Sequence, residues 1–254
     1  MIVRAMDNHG VYYPISANTA FALTEVKGIN PPKASINTEE YATSDGAVFN
    51  SARLRTRNIV LTMYPMTPVE AGRMAIYNIF RPKQMITLLF DTKSRSVVAT
   101  GYVESVEVNA YTNPQKVQVS VICPDPNLRG GSVTTPINPG SYVEITNPGE
   151  VTSGGIFIVY NKGQAFTDIT FKNYTTNQSF TIDYDFAIGD SITIDTRQGQ
   201  KSVMLSRNGA TTNLLNSFSG DWVQIGPGYN YIELMLGSGD CGSMIVYNPL
   251  FEGV

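Results

Sequence analysis

The chain is poor in the residues on which most chemistry depends. Its 254 residues include one histidine, His9, one tryptophan, Trp222, and two cysteines, Cys123 and Cys241. A Ser-His-Asp or Cys-His site, and most zinc sites, would have to be built on His9. That residue reads as an exposed member of an irregular N-terminal stretch. Two cysteines, one in each half of the chain, do not make a disulfide scaffold and read as buried free thiols. Cys123 lies at the end of a buried strand, with no basic partner near it in sequence to stabilise a thiolate.

Charge is also sparse. Charged residues make up 15% of the chain and the net charge is −3. A binder held by phosphate contacts needs a basic surface, so no specific nucleic-acid partner is expected. No apolar run approaches membrane-spanning length, and the first residues lack the apolar core of a signal peptide. The expectation is a soluble protein of a reducing cytoplasm, with no membrane partner. The two halves differ in sign. Residues 1–130 carry 13 Lys and Arg against 10 Asp and Glu, a net of +3. Residues 131–254 carry 5 against 11, a net of −6. A change of sign along the chain points to two units with different surfaces.

Helical patterning is equally scarce. Only Pro68–Arg81 reads as a helix. Thr67-Pro-Val-Glu70 has the form of a capping box, Val69, Met74, Ile76, Ile79 and Phe80 gather on one side, and Pro82 ends it. Strands are predicted around it: Phe21–Ile29, Lys33–Glu39, Arg57–Tyr64, Met85–Phe90, Val97–Ala99, Gly101–Ala110 and Lys116–Cys123. The segment Thr38–Arg57 reads as long, polar and weakly structured, with a loop around Asp45-Gly46. Cys123-Pro-Asp-Pro126 stops the last strand, because neither proline has a ladder N–H and each restricts its neighbour. Gly130-Gly-Ser132 then reads as a hinge. The predicted boundaries are therefore residues 1–130, an α+β unit with one helix, and residues 131–254, an antiparallel sandwich. In the second unit short strands recur between Gly, Asn and Pro turns, of which Gly189-Asp190 and Asn208-Gly209 read as tight hairpin turns. Phe180–Ile188 alternates cleanly, with Thr181, Asp183 and Asp185 on a wet face and Phe180, Ile182, Tyr184, Phe186 and Ile188 opposite.

Motifs with chemical meaning are few. Gly237-Ser-Gly-Asp-Cys-Gly242 has the G-x-G-x-x-G spacing of a dinucleotide fingerprint. It leads into a strand and not a helix, so it reads as a hairpin turn. Asp183 and Asp185 share only a solvated face. Glu104 and Glu107, three apart on a strand, face opposite sides, which excludes a glycosidase pair. Arg53, Arg55 and Arg57 would share a face if extended. They read either as a solvated edge that blocks strand pairing or as a contact awaiting an acidic neighbour. Trp222 is a core anchor or, if exposed, a sugar-stacking platform. No catalytic residue, cofactor or metal is assigned.

An ordered set of short segments resembles the distal tail (Dit) protein family of siphophages, bacteriophages with long non-contractile tails. In the first half these are Asp45-Gly-Ala-Val-Phe-Asn50, Arg57-Asn-Ile-Val-Leu61, Ile79-Phe-Arg-Pro-Lys83, Gly101-Tyr-Val-Glu-Ser105 and Cys123-Pro-Asp-Pro126. In the second they are Ile145-Thr-Asn-Pro-Gly149, Phe180–Asp185, Ile188-Gly-Asp190, Ile194-Asp-Thr196, Asn208-Gly209, Asp221-Trp222 and Glu252-Gly-Val254. The resemblance implies a split-barrel-like first domain that closes into a hexameric ring and a galectin-like outer sandwich. It implies a structural protein of the virion tail, assembled in the host cytoplasm, and not an enzyme. The ring would join the tail tube protein to the tail tip or baseplate and hold tail-associated lysin, fibre or receptor-binding proteins. Asp45, Phe49, Arg53, Arg55 and Arg57 are the candidate subunit contacts, on an arm ordered by the neighbouring subunit. The alternative is a carbohydrate-binding module that recognises the bacterial cell wall through Trp222 of the sandwich.

Overall fold

A computed structural model describes residues 1–109 and 111–254. Ala110, where one predicted strand ends, lies outside the described residues. The described chain is mostly β and separates into two compact units. One comprises Met1–Gly130 with Phe251–Val254, the other Gly131–Leu250.

The first unit runs β1 (Ile2–Asp7), β2 (Tyr12–Pro14), β3 (Phe21–Lys27), β4 (Ala34–Glu40), β5 (Ala47–Leu54) and β6 (Arg57–Pro65). Then follow α1 (Val69–Ile79), β7 (Met85–Asp91), β8 (Ser96–Asn109), β9 (Lys116–Cys123) and β10 (Leu128–Gly130). Seven strands form one antiparallel path in the order β2-β1-β7-β8-β9-β6-β3, with β10 added beside β8. The ends of this path do not pair with each other, so the sheet is open and no barrel closes. Its apolar face carries Val3, Ile59, Leu61, Ile86, Leu88, Val119 and Val121, alternating with less buried neighbours. The N-terminal stretch is therefore not irregular. β1 pairs with β7 and buries Val3 and Ala5, and His9 sits in the turn that follows.

Helix α1 covers part of this core with Ile76 and Ile79, and Phe80 follows them in. Gly72 allows the close approach, since a Cβ there would lie 2.4 Å from the Ala20 carbonyl oxygen. Val69 and Met74 face solvent, so the buried stripe is narrower than the sequence suggests. The capping box does not form either. The helix begins one residue late for it, with Pro68 at the cap and no side-chain cap bond. In β8 a bulge between Val103 and Ser105 changes the alternation. Val103 and then Val106 and Val108 point inward, so Glu104 and Glu107 are both exposed on the same side and not on opposite ones.

The second unit runs β11 (Val133–Ile137), β12 (Tyr142–Asn147), β13 (Ser153–Asn161), β14 (Phe166–Asn173), β15 (Gln178–Phe186) and β16 (Ser191–Asp195). It continues with β17 (Ser202–Arg207), β18 (Ala210–Asn213), β19 (Phe218–Gly220), β20 (Gln224–Ile225), β21 (Gly228–Ser238) and β22 (Cys241–Tyr247), before β23 (Leu250–Phe251) pairs with β10. One sheet has the order β11-β22-β13-β16-β17-β18, with β20 beside β13, and the other β12-β21-β14-β15-β19. The inner faces meet through Phe157 of the first sheet and Phe171 and Phe180 of the second, with ring centroids 4.8 and 5.4 Å apart. This is the antiparallel sandwich that the alternation of β15 implies. Ile188 is exposed because β15 has already ended.

Two turns do a different job from the one expected. Gly189-Asp190 and the glycine-rich Gly237–Gly242 stretch each carry the chain from one sheet to the other, and neither closes a hairpin. Asn208-Gly209, with both φ angles positive (52° and 80°), does form a two-residue hairpin between β17 and β18. β11 escapes a sequence reading because it contains Pro136, which an edge strand accommodates.

Candidate functional site

The sequence expectation of a weakly structured arm over Thr38–Arg57 does not hold. β4 and β5 form a regular two-stranded sheet of their own, paired from Ala34↔Leu54 to Glu40↔Ala47. On β4 the apolar positions Ala34 and Ile36 are even-numbered. On β5 they change parity, from Ala47 and Phe49 to Ala52 and Leu54. A bulge opposite Asn37/Thr38 absorbs the extra residue Asn50 and reconciles the two. All six side chains therefore lie on one face. Thr38 and Glu40 share that face, and Ser35, Asn37, Glu39, Val48, Ser51 and Arg53 lie on the other.

This apolar face is uncovered. Ile36 and Phe49 are each 62% exposed, and Leu54 is exposed beside them. Apart from Ser35, every residue of both strands is exposed. An isolated hairpin is marginal in water, and an apolar face of this kind normally packs on something. The sequence signal was present in Ala-Val-Phe49 and Ile36. It was masked by the polar residues alternating with it and by the parity change at the bulge.

The candidate contact residues occupy different places on this arm. Asp45 is in the tip turn, where the Tyr41 N–H donates to the Gly46 carbonyl. Phe49 is on the apolar face. Arg53 is on the polar face, and Arg55 donates from Nη2 to Ser35 Oγ at 3.0 Å. Arg57 is separate from both, being only 3% exposed. Its guanidinium donates to four carbonyl oxygens: Gly28 (2.6 Å), Asn30 (2.8 Å), Pro126 (2.7 Å) and Glu252 (2.6 Å). Burial lowers its pKa, while the neighbouring Cys123 and Asp125 act in the opposite direction. The three arginines therefore share no common surface. Arg57 clamps the foot of the arm to the Cys123-Pro-Asp-Pro126 stop and to the last residues of the chain.

In the second unit Trp222 is half-buried between β19 and β20. Its ring stacks on Phe218 at 4.2 Å, and Lys201 Nζ lies 5.4 Å from its centroid. The polar groups around it serve the backbone. Gln224 Nε2 donates to the Thr196 and Trp222 carbonyls, and Gln178 accepts from the Gln224 N–H. Trp222 is thus an extension of the core that also lines a cleft with Gln198, Lys201 and Asp221. The exposed aromatic surface is elsewhere, on the outer face of the sheet containing β12, β21 and β14. Tyr142, Tyr229 and Tyr231 are exposed there, with Tyr174 just beyond β14. Tyr142 and Tyr174 have centroids 5.4 Å apart, and Tyr174 donates to Glu233 at 2.6 Å, which raises the tyrosine pKa. Sequence reading missed this cluster because its members lie on three separate segments.

The cysteines Cys123 and Cys241 are buried and free, and burial pushes both thiols up to about 11. Among the described residues no three His, Cys, Asp or Glu side chains come together as a metal site. No described helix is long and apolar enough to cross a membrane.

Comparison with known proteins places this architecture. Residues 149–251 match the family model described as siphovirus-type tail component, C-terminal domain. The fold of the whole chain is similar to that of the Dit protein of phage SPP1, described as a paradigm of the hub adsorption apparatus in phages infecting Gram-positive hosts. That match has a TM-score of 0.73 at 17% identity and covers 99% of this chain and 100% of that one. Chains of the phage p2 baseplate in its activated conformation are also similar. The form with Ca gives a TM-score of 0.51 at 9% identity and the form with Sr 0.50 at 10%, each covering 96% of this chain and 97% of that one. No curated protein matches the sequence. Residues 149–251 thus match the C-terminal domain of siphovirus-type tail components, and the chain as a whole shares the fold of the SPP1 Dit protein.

Proposed function

We propose that this chain is a structural subunit of a siphophage tail-tip hub, in which copies assemble through the β4–β5 arm into a closed, hexameric ring. The observation that carries the reading is the amphipathic arm, whose apolar face has no cover among the described residues. A ring subunit needs a projecting element and a receiving surface, not a pocket. The ring joins the tail tube to the tip or baseplate. The second unit anchors tail-associated or receptor-binding proteins, and its exposed tyrosines are the surface we assign to that role. Tyrosine is enriched at protein interfaces because it brings large area with few rotatable bonds. Assembly takes place in the host cytoplasm, and the role is not enzymatic. The carbohydrate-binding alternative gains no support from Trp222, whose ring is packed on Phe218 and faced by Lys201.

The test is solution mass and negative-stain imaging of the full chain beside a trimmed variant. In the variant residues 37–51 are replaced by Asn-Gly, which closes the hairpin at Ile36↔Ala52. The expected outcome is rings for the wild type and a folded monomer for the variant. Rings from the trimmed protein would overturn the assignment.

A further inference from the structure

The arm is polarised along its length. Its tip carries Glu39, Glu40 and Asp45, and its foot carries Lys33, Arg53 and Arg55. Residues 34–38 and 46–52, between the two, bear no charge. Among the described residues none of these six groups makes an ion pair. Glu39 accepts only a long bond from Asn50, and Arg55 bonds only the neutral Ser35. Arg53 pairs with Ser35, four residues from Glu39, so along the arm the charged positions of foot and tip stand about 13 Å or more apart at the usual rise per residue. That exceeds the screening length of about 8 Å at physiological salt. The foot of an arm therefore cannot neutralise its own tip.

We infer that the acidic tip of one copy docks on the basic foot of the next, and that this pairing gives the ring its direction. The inference rests on the ring reading and adds the receiving surface to it. Tip against tip, or foot against foot, brings like charges together in threes. Tip against foot matches three carboxylates to three cations, while the apolar face supplies non-directional cover. A head-to-tail contact of this kind is heterologous, which is the contact type that closes rings. The foot also offers a cleft lined by Gly28, Pro31, Pro32, Lys33, Thr56 and Asn58, held open beside the clamped Arg57. Rim charges of this type act chiefly on orientation, specificity and association rate.

The experiment inverts each end in the full chain. One variant carries Glu39→Lys, Glu40→Lys and Asp45→Lys. A second carries Lys33→Glu, Arg53→Glu and Arg55→Glu. A third combines all six. All six groups are solvated, so melting temperatures should match the wild type. At low salt each triple variant should associate about tenfold more weakly or worse, with the deficit shrinking as salt rises. The six-fold variant should recover, and an equimolar mixture of the two triple variants should form rings of wild-type mass. A wild-type ring indifferent to the inversions, or a six-fold variant that stays weak, overturns the inference alone. A mixture that stops at a two-fold dimer shows that the arms pair face to face, which also overturns it. A wild type that remains monomeric at every accessible concentration overturns the ring reading and this inference together.

Discussion

Arg57 shows how far one side chain can depart from what its neighbours in sequence suggest. Arg53, Arg55 and Arg57 look equivalent, and only the fold separates the last from the other two. A guanidinium can serve four carbonyls at once because its donors form a planar fork, and lysine cannot reproduce that pattern. Arg57→Ala should destabilise the first unit by about 3 kcal/mol, since it strands buried acceptors, and Arg57→Lys should recover only part of the loss. Urea unfolding followed by tyrosine fluorescence would measure both, and an unchanged midpoint for the alanine variant contradicts the clamp. Asp190 plays a similar part in the second unit. Its fully buried carboxylate accepts from Arg207 Nε at 2.7 Å and from Nη2, and also from the Ala187 N–H. The Arg207 bonds hold its pKa below the usual carboxylate range, against the opposing effect of burial. A carboxylate depressed in the folded state contributes stability above its unfolded pKa of about 4 and loses it as pH falls further. Asp190→Asn should therefore lower stability by about 2 kcal/mol at neutral pH, and the gap to wild type should close as pH falls below about 4. A gap that stays constant down to acid pH would show that the ion pair is not its source. Neither partner pair was legible in the sequence, because Asp190 and Arg207 meet only after β16 and β17 have paired.

At the scale of elements, legibility followed local periodicity. β15 and its wet and dry faces were readable, because a strict alternation of Phe, Ile and Tyr with Asp and Thr has one simple solution. The Asn208-Gly209 hairpin was readable for the same local reason. What was not readable lay where a bulge changes parity. In β8 the bulge moves Glu104 and Glu107 to one exposed side, and in β5 it collects Ala47, Phe49, Ala52 and Leu54 onto a face that the raw alternation divides. The second strand of the arm was thus mistaken for a loop, although the first, read as Lys33–Glu39, was recognised as a strand. Sheet-crossing turns were misread as hairpins because turn chemistry reports the bend and not the partner of the next strand. The charge polarity of the arm, by contrast, was written in the sequence throughout. It acquired meaning only when pairing placed Glu39 and Glu40 at one end and Arg53 at the other.

For the whole molecule, the informative fact is that the chain returns to its first unit at the end. Phe251–Val254 belong with Met1–Gly130, although the second unit separates them in sequence. Phe251 is buried in the first core with the Arg95 guanidinium 4.7 Å from its ring, the Glu252 carbonyl takes one bond from Arg57, and the Val254 N–H donates to the Ile29 carbonyl. The second unit is therefore an insertion in the first, entered after Gly130 and left after Leu250. Removing Phe251–Val254 tests this division. Loss of a buried phenylalanine costs about 2 kcal/mol and each lost hydrogen bond about 1 kcal/mol. The first unit should then lose about 4 kcal/mol and melt roughly 15 °C lower, while the second keeps its own transition. Calorimetry of the truncated chain should resolve two transitions where only one has moved. If both move together, the units unfold as one cooperative body and the division is not energetic. If neither moves, the terminal residues contribute nothing to the first core, and the clamp centred on Arg57 must close without them.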